Sequence, residues 1–363
     1  MPTPLWRYQD MERSHAHECP RAETDTEGTG VRPNGAQKWW GLLPRFDPDA
    51  GNVVAEPPGS GYGYWAGAPS AVFDPGTGLF YCYYRQRWPL GGRRGGVCRI
   101  VGSADPDAPA AGWQTVWEAT REDFGSNSIE RSSLIRDPGS GEWRLYVSSE
   151  TAQSYDRNPA TWRVDLLQAP TIGGLDPRQR RIVMDAAMYG FSHVKDPVVQ
   201  VIGGEYVALT SAAWRDQYLG PDAEGVIHSR GRGLIAVHRS LDGIDFPTAQ
   251  VLAEPGPQGW GGINVRPSAL IYLAPVWSLL FDEGTTRADS YDEQCMLAIS
   301  TDCKVWRRLT PSHAPWVRSA HGTGSVRYVD AVLAGERVHY FYEYTRADRA
   351  HELRHAAVPL GGP

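Results

Sequence analysis

Lysine is nearly missing from this chain of 363 residues: of 36 basic residues only Lys38, Lys195 and Lys304 are lysines, and the rest are arginines. Acids number 42, so the formal net charge is −6. That balance excludes nucleic acid as the main partner, because neutralising phosphates needs a basic surface. The five cysteines (Cys19, Cys82, Cys98, Cys295, Cys303) are an odd number without Cys-x-x-Cys spacing, which fits reduced thiols and not a disulfide framework or a zinc knuckle. No run approaches 18 apolar residues, so no membrane span and no membrane partner is expected. Met1 to Pro20 lacks the apolar stretch of a secretory signal, and cytoplasmic residence is the default expectation. There is no His-Glu-x-x-His, no His/Cys cluster and no Gly-Lys-Ser/Thr after the run Gly91 to Gly96. No cofactor, catalytic metal or nucleotide is therefore expected.

What the chain does have is 40 glycines and 28 prolines together with 14 Trp, 17 Tyr and 8 Phe, a mixture of turn formers and strand-favouring aromatics that points to β structure. Five segments repeat one pattern, an apolar run, a turn and an aromatic-rich alternating strand. They run from Ala68 to Tyr84, Arg131 to Val147, Asp196 to Leu209, Arg266 to Phe281 and Arg327 to Tyr342. Marked at Pro69, Ser132, Pro197, Pro267 and Tyr328, their spacings are 63, 65, 70 and 61 residues. A further strand follows three of them and ends in a Ser-x-Asp turn, as in Ser103-Ala104-Asp105, Ser240-Leu241-Asp242 and Ser300-Thr301-Asp302.

A period of that size suits one four-stranded blade with a long loop. The expectation is an all-β, five-bladed β-propeller over 61–363, with four-stranded antiparallel blades around a central channel. The blades begin near residues 67, 130, 195, 265 and 325. Residues 1–60 read as an extension that packs on the propeller, covers one mouth or lends a closing strand.

Lys195-Asp196-Pro197-Val198-Val199 followed by Gly203-Gly204-Glu205-Tyr206 resembles the blade start of the five-bladed propeller glycosidases, glycoside hydrolase family 43 and its relatives, families 32, 68, 117 and 130. His321-Gly322-Thr323-Gly324-Ser325-Val326 is loosely similar to the last-blade stretch of family 43. The resemblance extends over about residues 62–358 and rests on blade grammar, so it speaks for fold more than for reaction. It implies a base Asp on blade one, a second Asp that tunes pKa and a Glu acid, the carboxylates that inverting hydrolysis needs. Here blade one reads Gly67-Ala68-Pro69 and blade four Val265-Arg266-Pro267, so only Asp196 matches.

At the channel mouth the sequence instead offers Arg131, Lys195, Arg266 and Arg327, one cation on each of four blades, with Asp330 beside them. Such a group would hold an anion by charge-assisted hydrogen bonds. The run Arg85-Gln86-Arg87 and the loop pair Arg93 and Arg94 would add to the field. Among the acids, Asp196 and Glu130 are the catalytic candidates, one as acid and one as base, and Glu343 is a further acid on a second strand. His193 and His321 flank inner strands and suit proton transfer or an ion in the channel, which the resemblance leaves open. Trp65 and Trp214 sit near blade openings, where ring faces stack on sugars.

The function expected is glycosidase-like acid/base cleavage of a small, anionic, sugar-like substrate, with phosphorolysis as a variant. Two alternatives stand beside it: lyase, cyclase or isomerase chemistry on a specialised metabolite, and a propeller that binds a ligand without catalysis. No residue pattern fixes an oligomeric state.

Overall fold

The computed structural model describes residues 41–89, 95–151, 162–214, 218–221, 227–229, 233–256, 260–284, 293–312 and 314–360. Of the sequence-based expectations, those on residues 1–40, Arg93 and Arg94 lie outside the described residues.

The repeated segments fold as five antiparallel blades. Blade one is Trp65–Asp74, Leu79–Arg87, Gly95–Ser103 and Gln114–Thr120. Blade two is Ser126–Arg136, Trp143–Thr151, Trp162–Ala169 and Arg181–Asp185. Blade three is Phe191–Ile202, Glu205–Trp214, Leu234–Ser240 and Ala249–Ala253. Blade four is Asn264–Leu273, Val276–Gly284, Gln294–Ser300 and the short Arg307–Arg308. Blade five, Val326–Ala334, Arg337–Thr345 and His351–Pro359, takes its fourth strand from the other end of the chain: Asn52–Ala55 pairs antiparallel with it, Val53 opposite Arg354. The architecture is a five-bladed propeller around a central channel.

Alternation along each strand explains why both faces of a blade are buried. In blade four Leu279 and Phe281 point to blade three, joining Val198, Leu209 and Ile235, while Leu280 between them points to blade five, joining Val329, Val338 and Tyr340. Three further packings have the same form. The one between Phe341 and Leu353 of blade five and Ala66, Phe80 and Cys82 of blade one brings the last blade against the first. The Ser-x-Asp turns serve the blade edges: Ser240 Oγ donates to Asp242 Oδ1 at 2.8 Å, and the same oxygen accepts from the Ile244 and Asp245 amides.

Every inner strand carries a register shift at its channel end, between Gly67 and Ser70, Ile129 and Ser132, Lys195 and Val198, Pro267 and Ala269, and Arg327 and Asp330. These bulges give the true phase of the repeat. Pro69, Arg131, Pro197, Pro267 and Val329 are equivalent, so the markers Ser132 and Tyr328 are each one residue out of phase. The ring of residues just before them is Ala68, Glu130, Asp196, Arg266 and Tyr328. Three of these, Ala68, Asp196 and Tyr328, are left-handed, with φ of 54°, 54° and 51°. Such a conformation costs a non-glycine residue on the order of 1–3 kcal/mol. In each case the previous blade anchors the amide, which donates to Glu343 Oε2 at 3.1 Å, Ser148 Oγ at 2.7 Å and Asp282 Oδ2 at 3.0 Å, respectively.

Candidate functional site

The bulges bring charged side chains from distant parts of the chain to one mouth of the channel, where they form a continuous alternating row. Arg87 Nη1 and Arg85 Nε hold the two oxygens of Glu130 at 2.5 and 3.0 Å. Arg85 Nη1 reaches Glu343 at 3.2 Å, and Arg327 binds the same carboxylate at 2.6 Å. Glu293 then bridges Arg327 at 2.6 Å and Arg266 at 3.3 Å, and Arg266 Nη2 ends on Asp282 at 2.8 Å. His351 Nδ1 stands 2.7 Å from Glu343 Oε1 and its Nε2 is 3.0 Å from Thr345 Oγ1.

Asp196 is the exception in this row. Its side chain is 0% exposed, yet among the described residues neither carboxylate oxygen has a hydrogen-bond partner. Two cations stand just beyond contact, Lys195 Nζ at 3.9 Å and Arg266 Nε at 4.0 Å. A buried, unbonded carboxylate is costly, by about 1–3 kcal/mol or more, and here it is held in place by a left-handed backbone.

The acids differ in their proton affinity. Burial would raise Glu130, but Arg87, Arg85 and Lys195 outweigh it and hold the carboxyl down to about 2. Glu343 lies well below its ordinary value because Arg327, Arg85 and His351 overcome its burial. Asp282 is raised, by burial and by the neighbouring Glu293, against the pull of Arg266.

Tyr328, absent from the sequence-based candidates, stands in the middle of this set. Its ring is overlain by the guanidinium carbons of Arg266 at 3.8 Å, Arg327 at 5.3 Å and Arg85 at 5.6 Å. Glu293 and His351 were missed as well. Glu293 lies just outside a strand, where no period marks it. Tyr328 was hidden by the one-residue phase error on blade five, which assigned its place to Arg327.

The other expected residues divide between this cluster and elsewhere. Arg85, Glu130, Lys195, Asp196, Arg266, Arg327 and Glu343 come together. Arg131 is buried just beneath them, and its guanidinium faces the channel axis, donating to the carbonyls of Pro69 at 3.2 Å, Pro197 at 2.9 Å and Ser268. Asp330 Oδ1 lies 3.9 Å from it. One side chain thus joins blades one, two, three and four and stands beside the fifth, and the guanidinium fills the channel where an ion was left open. His193 lies on the inner strand before Lys195, and burial beside that lysine pushes it down to about 3.

Trp65 is buried in the wall of the mouth, stacked on His351 at 5.2 Å and beneath Arg327 and Arg87, and is part of the ion-pair scaffold. Trp214 packs on Phe191 and donates from Nε1 to Glu254 at 2.9 Å. His321 is exposed and stands edge-on to Tyr344 at 6.2 Å. Among the described residues no group of three or more His, Cys, Asp or Glu is placed to hold a metal ion, and no helix is long and apolar enough to cross a membrane.

Beyond Arg131 the channel widens into a cavity of about 680 Å³, walled by all five inner strands with Val72, Ile135, Val201, Ile271 and Leu333. Its wall is about equally polar and apolar, with Asp74, Arg136, Asp137 and Asp330 beside the aliphatic side chains, and it contains none of the row of ion pairs.

These features define a class: a five-bladed propeller with a polar, ion-paired mouth built from several blades. In fold the chain is similar to a family 43 subfamily 1 glycoside hydrolase from Xanthomonas citri (13% identity, TM-score 0.54, 84% of this chain and 90% of that one). It is also similar to a thermostable family 43 glycoside hydrolase (11%, 0.57, 85% and 92%) and to an N-acetylgalactosamine deacetylase from F. plautii (10%, 0.58, 87% and 94%). No protein-family model matches the sequence, and no curated protein does.

Proposed function

We propose that this protein is an enzyme that binds a small, hydroxyl-rich, sugar-like molecule at the ion-paired mouth and cleaves a glycosidic bond, with Asp196 as general base. The observation that carries the reading is the state of Asp196: fully buried, strained, and with both oxygens unbonded among the described residues. A substrate hydroxyl or a water is the natural donor to such a carboxylate. Glu130, the expected partner of Asp196, is held ionised by two arginines. Its part is to fix Arg85 and Arg87.

The charge balance bears on the substrate. Each of Arg85, Arg87, Arg266 and Arg327 has a carboxylate oxygen within 3.3 Å, which favours a neutral polyol over a multiply charged anion. Lys195 is the mouth cation best placed for one anionic group or for inorganic phosphate, since its nearest acid is 3.9 Å away. A second reading, lyase, cyclase or isomerase chemistry, is favoured by Ala68, which stands where the family resemblance puts the hydrolytic base. The deciding experiment is turnover of a panel of aryl glycosides with and without phosphate, products identified by NMR, for the native protein and Asp196→Asn. Turnover lost in Asp196→Asn supports the proposal, and full turnover in that variant overturns it.

A further inference from the structure

We infer that Tyr328 is the proton donor that works opposite Asp196, an inference that rests on reading the mouth as a glycoside-cleaving site. The two residues hold the same place in their blades. Each is left-handed at an inner-strand bulge, and each has its amide tied to the preceding blade. One guanidinium holds both side chains: Arg266 lies 3.8 Å over the Tyr328 ring and its Nε is 4.0 Å from Asp196 Oδ2. Among the described residues no hydrogen bond reaches the phenol oxygen or either Asp196 oxygen. The mouth therefore presents one unbonded base and one unbonded hydroxyl.

The carboxyl groups are poorly suited to donate. Glu130 and Glu343 each bridge two arginines and are ionised. Asp282 has a raised pKa, but its oxygens accept from Arg266 and from the Tyr328 amide. The phenol keeps its proton. Burial raises it well above its ordinary value against the pull of Arg266 and Arg85, and the Asp196 and Glu130 charges add to the rise. In the step proposed, the bond from the anomeric carbon to the leaving oxygen breaks with its electron pair on that oxygen, which takes the phenolic proton. Water bonds to the anomeric carbon and gives its proton to Asp196. The phenolate and the new carboxylic acid then exchange that proton through solvent, and both groups return to their starting state.

Two glycosides of one sugar test this, one with an alkyl and one with a 2,4-dinitrophenyl leaving group, because only the first needs an acid. With Tyr328→Phe, kcat should fall about 100-fold or more on the alkyl glycoside and change little on the dinitrophenyl one, whose turnover also shows that the variant is folded. Asp196→Asn should be slow on both. Should Tyr328→Phe lose both activities equally, a fluorotyrosine at 328 decides, since it acidifies the phenol. A lowered alkaline limb of kcat on the alkyl glycoside supports the inference, and an unmoved limb overturns it. A native protein that cleaves no glycoside sinks the proposed function itself, whereas native activity with an indifferent Tyr328 sinks only the donor.

Discussion

Glu343 occupies the space a side chain at Gly67 would need. A Cβ on Gly67 would lie 2.2 Å from Glu343 Oε2 and 2.6 Å from Glu343 Cβ. The second of those atoms is close to the backbone and cannot swing clear. Gly67 is thus the gap through which a blade-five carboxylate reaches blade one, to accept from the Ala68 amide and to join Arg85 to Arg327. Gly67→Ala should destabilise the protein by about 1–3 kcal/mol through overpacking. Removing the obstruction tests the cause: in Gly67→Ala with Glu343→Gly the two losses should fall short of additivity in urea unfolding. Strict additivity would show that the two positions do not meet.

Much of this arrangement was legible in the residues. The Gly-containing turns and alternating aromatics gave five hairpins, and Pro69, Pro197 and Pro267 marked the bulges because proline lacks the amide that a regular ladder would use there. Where the proline is replaced, by Arg131 on blade two and Val329 on blade five, no residue type marks the bulge, and neighbouring cations obscure its phase by one residue. That slip concealed Tyr328. The pairing of the arginines was not legible either. Arg85 meets Glu343 across 258 residues, Arg327 meets Glu293 across 34, and no local spacing encodes either partner. A row of cations in sequence thus became a row of ion pairs in space.

Arg131 offers a sharper test of the channel. Its guanidinium serves carbonyls on three blades other than its own, and without it those buried acceptors would lose their donor. Arg131→Met keeps most of the volume and removes all the donors. It should lower unfolding stability by about 3–5 kcal/mol, the usual effect of leaving buried charged or polar partners unmatched, with Arg131→Lys recovering part of the loss. A methionine variant as stable as the native protein would mean that the blades are held by their apolar interfaces alone.

The last prediction concerns pH. His339 Nδ1 and His355 Nε2 lie 3.1 Å apart inside blade five. Burial pushes His339 down to about 4 and His355 to about 3. Arg337 acts in the same direction on both, and His339 does so on His355. Unfolded, each imidazole takes up a proton near pH 6.5; folded, neither does until near pH 4 or below. Between those limits the unfolded chain binds more protons, so stability is complete above about pH 6.5 and is lost as pH falls toward about 4. Buried His238, pushed down to about 4, acts with the same sign. Glu130, held at about 2, loses its contribution only below the ordinary carboxylate range, so the window from pH 6.5 to 5 reports the histidines. Each can contribute at most about 1.4 kcal/mol per pH unit there. Urea unfolding at pH 7, 6 and 5 should show native stability falling steadily, and His355→Gln should flatten the slope. Equal slopes in the two proteins would mean that the pair is already solvated in the folded state.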